Sequence, residues 1–158
     1  MKRNIRYIVV HCTATSQDVS LKALQKTWKE KTNDKTPPYH YLIRSDGELK
    51  RLVHENCIEG GDFSQNIPCI HVAFTGGINK EGQACDNRTK RQNDALFKKL
   101  VELSDKYSEA EIVGAVEISS QAETSPCFDV KKWMREYTPD FLEQPFFESL
   151  EYIEDIAA

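Results

Sequence analysis

The N-terminal third of the chain changes from strand-like to helix-like patterning. A continuous β-branched run within residues 5–11 predicts a buried strand that ends at His11. A cap-forming Ser20 precedes a segment, reaching residue 31, whose apolar side chains recur at helical intervals. Those apolar positions are Leu21, Leu24 and Trp28. We therefore expect a strand followed by a helix that lies on the sheet.

The middle of the chain predicts a hairpin and a further strand. Residues 39–44 and 48–53 are strand-like, and Asp46-Gly47 between them is a hairpin signal. Residues 70–74 form another apolar run. This region should therefore contribute three strands to the sheet.

The C-terminal half predicts two helices separated by a strand. Thr89 and Gln92 have the capping-box pattern ahead of a long amphipathic segment. Residues 111–118 are strand-like, and Asp129 can cap a short helix. The order of elements predicts an α/β fold, a single domain with a central mixed β-sheet flanked by helices, over residues 1–138. Residues 139–158 form an acidic tail with helical spacing, which packs on the domain or extends from it.

Composition limits the classes of partner. The 158 residues carry a net charge of −4, which argues against nonspecific binding to nucleic acid or to an anionic membrane. The five cysteines are scattered without a C-x-x-C pair, so neither a disulfide framework nor a structural zinc knuckle is indicated. Without a signal-peptide pattern, we expect the protein in the cytoplasm, or released from it by lysis.

Several short segments together resemble one enzyme family. These segments are residues 8–15, 39–43 with 46–47, 76–78, 112–114, and 128–130 with Trp133. In order and spacing, they are similar to the type-2 N-acetylmuramoyl-L-alanine amidases, which include phage amidase lysozymes and are related to peptidoglycan recognition proteins. The resemblance implies the amidase fold and hydrolysis of the amide between N-acetylmuramic acid and L-alanine in peptidoglycan.

The family's chemistry requires a zinc ion, which the resemblance implies is held by two histidines and a cysteine. Three protein ligands would leave the fourth position for an activated water. The first histidine position matches His11, but the second matches Ala115 and the cysteine position matches Ser125. A methyl group cannot bind zinc and a neutral hydroxyl binds it poorly. We therefore expect zinc to be absent or weakly bound.

Of the other positions that the resemblance implies, some match the family and some do not. The tyrosine associated with catalysis matches Tyr39, whereas the lysine that stabilises the transition state matches Glu123, a reversal of charge. Gly61 and Asn66 are predicted to contact the substrate, in a stretch that lacks the histidine of many family members. His71 has no spaced partner, so it is read as an ordinary surface or core residue.

A rearranged metal site stays open as an alternative. Glu117 follows Ala115 by two residues and Cys127 follows Ser125 by two, and side chains two apart on a strand share a face about 6.6 Å apart. His11, Glu117 and Cys127 would offer imidazole, carboxylate and thiolate, all of which zinc accepts. We call this combination the alternative ligand set.

Three functions remain at this stage. The first is a pseudoenzyme that has lost zinc hydrolysis and binds a peptidoglycan-like fragment, such as a muramyl peptide, or a protein. The second is an active zinc amidase with a rearranged site. The third is a regulatory or interaction protein that binds a protein partner, with the acidic tail as a candidate surface.

Overall fold

The computed structural model describes residues 4–32, 36–57, 68–119 and 122–139. These residues form a mixed five-stranded sheet with helices on both faces. The strands are β1 (Tyr7–Cys12), β2 (Tyr41–Ile43), β3 (Leu49–Arg51), β4 (Cys69–Phe74) and β5 (Glu111–Gly114). The helices are α1 (Leu21–Thr32), α2 (Lys90–Lys106), α3 (Ala115–Ile118) and α4 (Val130–Glu136). The prediction of a central mixed sheet flanked by helices is confirmed.

The strand order across the sheet is β3-β2-β4-β1-β5. Strand β1 lies parallel to β4 and β5, β2 lies parallel to β4, and β3 pairs antiparallel with β2. The carboxyl ends of β1, β2, β4 and β5 therefore share one edge of the sheet. His11 lies at this edge, in the penultimate position of β1.

Alternate residues of the central strands face two separate apolar layers. On one face, residues of β1 and β4 such as Val10 and Val72 pack with α2 and α4 through Leu100 and Val130. On the other face, Leu24 of α1 packs with β2 and β4. Every residue of β4 is buried, as expected for a strand covered by helices on both sides.

The helix starts match the capping signals in the sequence. Ser20 Oγ accepts a hydrogen bond from the Ala23 N–H, at 3.0 Å, at the start of α1. At the start of α2, Thr89 Oγ1 accepts from the Gln92 N–H and Gln92 Oε1 accepts from the Thr89 N–H, each at 3.0 Å. Gln92 is buried, and its amide also donates to the Thr75 carbonyl at 2.8 Å. The predicted capping box is therefore confirmed, and its glutamine also ties α2 to the end of β4.

The predicted strand over residues 111–118 is correct only in its first half. Strand β5 ends at Gly114, and Ala115–Ile118 form the short helix α3. Glu117 Oε2 accepts a hydrogen bond from the Gly114 N–H, which satisfies a donor at the helix start. The sequence pattern missed this turn because residues 111–118 have the apolar character of a strand throughout.

Residues 58–67 and the acidic tail beyond residue 139 lie outside the described residues. The division into a domain over residues 1–138 and a tail over residues 139–158 therefore stays a prediction. Within the described part of the chain, no helix combines the length and apolar composition needed to cross a membrane.

Candidate functional site

His11 occupies a buried position at the carboxyl edge of the sheet. Its side chain is 6% exposed, on the face of β1 that also carries Val9. Burial lowers the pKa of His11 well below its ordinary value, and the neighbouring His71 lowers it further. The imidazole is therefore neutral near pH 7.

His71 is a hydrogen-bonded neighbour of His11. Because Val9 pairs with His71 across β1 and β4, His11 and His71 are diagonal neighbours on one face. His11 Nε2 lies 2.8 Å from His71 Nδ1, a hydrogen-bond distance, and the two ring centroids are 5.0 Å apart. The sequence interpretation of His71 missed this contact, since only the register of two parallel strands distant in sequence brings the residues together.

His40, the residue before β2, extends the histidine pair into a row of three rings. Its ring stacks on that of His71, with centroids 5.8 Å apart and planes 8° from parallel. His40 Nδ1 accepts from the His71 backbone N–H at 3.0 Å, and its Nε2–H donates to the Cys57 carbonyl at 2.8 Å. These bonds define a neutral His40 that holds the row in place.

Tyr39 packs directly against His11. The ring centroids are 5.0 Å apart, and the opposite side of Tyr39 meets Trp28 of α1 edge-on at 5.8 Å. Burial, with a contribution from Cys12, raises the pKa of the Tyr39 hydroxyl above its ordinary value. The tyrosine is therefore a neutral hydroxyl beside a neutral imidazole, at the position that the family resemblance implies.

Ala115 lies on the other side of His11. Val10 pairs with Gly114 in the parallel β1–β5 ladder, so the next residues along, His11 and Ala115, are close neighbours. Ala115 is fully buried, in an apolar cluster with Val9, Cys69 and Val113. The position that the resemblance assigns to the second histidine thus lies beside His11, but the methyl group of Ala115 has no donor atom.

Ser125 also reaches the end of β1. Its Oγ accepts a hydrogen bond from the Cys12 N–H at 3.0 Å, one residue beyond His11. The fold therefore gathers the three positions to which the resemblance assigns zinc ligands, although Ser125 uses its oxygen for the backbone. We refer to His11, Tyr39, His71, Ala115 and Ser125 as the His11 site.

The alternative ligand set is not brought together. Glu117 is exposed, and its carboxylate accepts from the Gly114 N–H and lies 3.6 Å from the Lys131 ammonium. The Cys127 thiol lies 3.7 Å from the Gly77 carbonyl oxygen and 3.8 Å from the Thr124 hydroxyl. Glu123 is exposed with a φ of 54°. Gly61 and Asn66 lie outside the described residues.

The donor atoms around His11 do not suit a zinc ion in the family manner. Structural and catalytic zinc sites use at least three protein ligands drawn from His, Cys, Asp and Glu. Across residues 4–32, 36–57, 68–119 and 122–139, no three such side chains are arranged to hold a metal. His11 has one histidine beside it, and that imidazole is already hydrogen-bonded to it.

Comparison with known proteins identifies the family of the chain. Residues 1–127 match the family described as N-acetylmuramoyl-L-alanine amidase, and the chain belongs to that family. An endolysin of Escherichia phage T7 is 31% identical over 128 residues, which cover 80% of this chain and 83% of the relative. An endolysin of Klebsiella phage KP32 is 30% identical over the same coverage.

Solved structures share the fold at lower identity. The Ph2119 endolysin, from a bacteriophage of Thermus scotoductus MAT2119, superposes with a TM-score of 0.67 at 23% identity. That match covers 80% of this chain and 79% of the endolysin. Drosophila peptidoglycan recognition protein SA gives a TM-score of 0.64 at 18% identity, covering 87% and 82% of the two chains. The fold is thus that of both phage amidases and peptidoglycan recognition proteins.

Proposed function

We propose that this chain binds a muramyl-peptide fragment of peptidoglycan at the His11 site and does not hydrolyse it by the zinc chemistry of its family. Family membership supports the ligand class, and the His11 site supports the loss of chemistry. The observation that carries the proposal is that Ala115 lies beside His11 and offers no donor atom, while Ser125 hydrogen-bonds the Cys12 N–H with its only side-chain oxygen.

Each position to which the resemblance assigns a zinc ligand has a structural role in this fold. Ala115 fills an apolar cluster, Ser125 satisfies the backbone of β1, and His11 is paired with His71. A zinc-activated water would need at least three such donors to be free for the metal. Glu123 also supplies a negative charge where the family resemblance implies a cation for a developing oxyanion.

Ligand binding has a parallel among proteins of the same fold. One similar structure contains tracheal cytotoxin bound to the ectodomain complex of peptidoglycan recognition proteins LCa and LCx. That chain covers 86% of the present one with a TM-score of 0.65, at 16% identity. The fold is therefore compatible with recognition, and Tyr39 is the side chain of the His11 site that we assign to ligand contact.

The similarity to phage endolysins favours one rival, an active zinc amidase with a rearranged site. The alternative ligand set would have to release Glu117 from Gly114 and Lys131 before it could reach His11. The endolysin relatives also support a place of action at the cell wall after release by lysis, which is compatible with either function.

The first experiment separates binding from hydrolysis. Zinc content is measured by elemental analysis on full-length protein purified without chelator or metal resin, and amide cleavage is followed on purified peptidoglycan with and without added zinc. We expect less than a tenth of a zinc per chain, roughly, and no chelator-sensitive turnover. One zinc per chain, together with turnover that chelator abolishes, would overturn the proposal that the chain is a pseudoenzyme.

The second experiment tests the ligand. Calorimetric titration with N-acetylmuramoyl-L-alanyl-D-isoglutamine in the presence of chelator should give saturable binding. Tyr39→Phe removes a single hydroxyl and should weaken that binding by about five- to tenfold, the effect of one hydrogen bond. Tyr137→Phe is the matched control, because the Tyr137 hydroxyl bonds Asp94 on the opposite face of the sheet. Absence of binding by the wild-type chain would exclude this ligand class.

A further inference from the structure

Two cysteine thiols meet on the face of β1 opposite His11. Cys12 ends β1 and is buried, and Cys127 lies partly buried in the loop before α4. Both belong to the apolar layer beneath α2 and α4. Both are free thiols in this structure.

Gly77 is the point at which the two thiols converge. A Cβ built on Gly77 would lie 2.5 Å from Cys12 Sγ, so only glycine leaves room for that sulfur. The Cys127 thiol donates to the carbonyl of the same residue, with Sγ 3.7 Å from the oxygen. Gly77 has a φ of +100°, which an L side chain rarely adopts.

The backbone at Cys127 is also unusual. Its φ of 75° places a non-glycine residue in the left-handed region, which is strained for an L side chain. The chain on either side of Cys127 is anchored by separate contacts. On one side, Ser125 Oγ accepts a hydrogen bond from the Cys12 N–H, and on the other the Phe128 ring packs on Phe74, with centroids 6.2 Å apart. The fold thus holds Cys127 against the end of β1.

The two thiols interact electrostatically. Burial raises the pKa of the Cys12 thiol, a hydrogen bond with Ser125 lowers it, and the charge and hydrogen bond of Cys127 raise it again. This interaction agrees with the geometry, in which both sulfur atoms adjoin Gly77. Proximity of two reduced thiols in a pre-set geometry is the main requirement for disulfide formation.

We propose that Cys12 and Cys127 are a redox-active pair that forms a disulfide when the protein meets an oxidised low-molecular-weight disulfide such as glutathione disulfide. Cys127, the more exposed thiol, attacks one sulfur of the oxidant as a thiolate and releases one glutathione. Cys12 then displaces the second glutathione from the mixed disulfide. One disulfide is consumed and one is formed, and the two protein protons end on the two glutathione thiols.

The cross-link would fix the loop that carries Ser125 to the strand that carries His11. It would close a chain segment running from residue 12 to residue 127, and longer closed segments restrict the unfolded chain more strongly. We therefore expect the oxidised protein to unfold at a higher temperature than the reduced one. This inference is independent of whether the His11 site binds a muramyl peptide.

The experiment uses the reduced full-length chain, equilibrated in glutathione buffers of increasing oxidised fraction and then alkylated. Peptide mapping by mass spectrometry should show loss of alkylation at Cys12 and Cys127 together, and a cross-linked peptide containing both. The thermal unfolding midpoint should rise at the same oxidised fraction and return on addition of dithiothreitol. A cross-link between any other two cysteines, or mixed disulfides without a cross-link, would overturn the proposal.

Single substitutions provide the controls. Cys127→Ser and Cys12→Ser should each abolish both the cross-link and the rise in unfolding temperature. Cys85→Ser is the closest control, because the Cys85 backbone N–H donates to the same Gly77 carbonyl at 2.9 Å. This variant should retain both the cross-link and the rise in unfolding temperature. Cys57→Ser, at an exposed position, should also behave as wild type. If Cys12→Ser fails to fold, Cys127→Ser alone decides the outcome.

Discussion

His11 Nε2 lies 2.8 Å from His71 Nδ1, so the imidazole to which the family resemblance assigns a zinc-ligand role is hydrogen-bonded to a second imidazole. Both side chains are buried, at 6% and 1% exposure. A buried donor or acceptor that loses its partner costs about 1–3 kcal/mol. This pair therefore contributes to the stability of the protein, and it engages one of the two ring nitrogens of His11.

The first prediction concerns the energy of this pair. His71→Leu replaces the imidazole with an apolar side chain of similar bulk and so removes the hydrogen-bond partner of His11. It should lower the free energy of unfolding by about 1–3 kcal/mol. A double-mutant cycle with His11→Ala should give a coupling energy of about 1 kcal/mol or more, measured by urea unfolding.

The control for the histidine cycle is His54, which is exposed in the loop after β3. His54→Leu should change the free energy of unfolding by less than about 0.5 kcal/mol and be additive with His11→Ala. Additivity of the His11 and His71 substitutions would contradict the hydrogen bond.

The second prediction concerns restoration of a metal site. Ala115→His with Ser125→Cys supplies the two donors that the family resemblance implies, but His71 still competes for His11. Adding His71→Ala should therefore raise zinc affinity further, to one zinc per chain by elemental analysis. The added histidine enters a tightly packed cluster, so a cost of about 1–3 kcal/mol in stability should accompany it.

Ala115→Leu with Ser125→Cys and His71→Ala is the matched control for that series. It adds similar bulk without an imidazole and should bind no stoichiometric zinc. Equal zinc affinity in the wild-type chain and the restored variant would show that the native residues already hold the metal.

The third prediction concerns Ser125 as a structural residue. Ser125→Ala leaves the Cys12 N–H without its acceptor at the end of a buried strand, and should cost about 1–3 kcal/mol in the free energy of unfolding. Ser108→Ala, at an exposed turn position, should stay within about 0.5 kcal/mol of wild type. Equal stabilities of the two variants would mean that water replaces the serine hydroxyl.

Much of this fold could be predicted from local patterns, but the His11 site could not. The caps at Ser20, Thr89 and Asp129 are local signals, and each helix begins directly after its cap. The alignment of Ala115 and Ser125 with ligand positions came from the family resemblance. By contrast, the contact between His11 and His71 depends on the register of β1 against β4, which sequence periodicity does not specify.

The convergence of the cysteines was hidden for a similar reason. Cys12 and Cys127 are separated by 115 positions in the sequence, and neither belongs to a C-x-x-C pair. Their contact requires a loop that returns to the end of β1 and a glycine that admits the sulfur. Long-range contacts of this kind follow from tertiary packing, which local patterns do not record.

The last prediction concerns acid stability and rests on Glu55. Its carboxylate accepts hydrogen bonds from the Tyr41 and Tyr107 hydroxyls and lies 2.9 Å from the Lys106 ammonium. Burial opposes ionisation, but these hydrogen bonds and the Lys106 charge outweigh it and lower the pKa of Glu55 from 4.5 to about 2. The folded state therefore binds the proton less tightly than the unfolded state does.

The sign of the pH dependence follows from that difference. The contribution of Glu55 is complete above the unfolded pKa of 4.5 and is lost as the pH falls from there towards 2. Its size is at most about 3 kcal/mol. Glu55→Gln should flatten urea-unfolding stability over this pH range, whereas Glu48→Gln removes the same charge at an exposed strand edge and should leave the profile unchanged. An unaltered pH profile in Glu55→Gln would assign the acid sensitivity to other carboxylates.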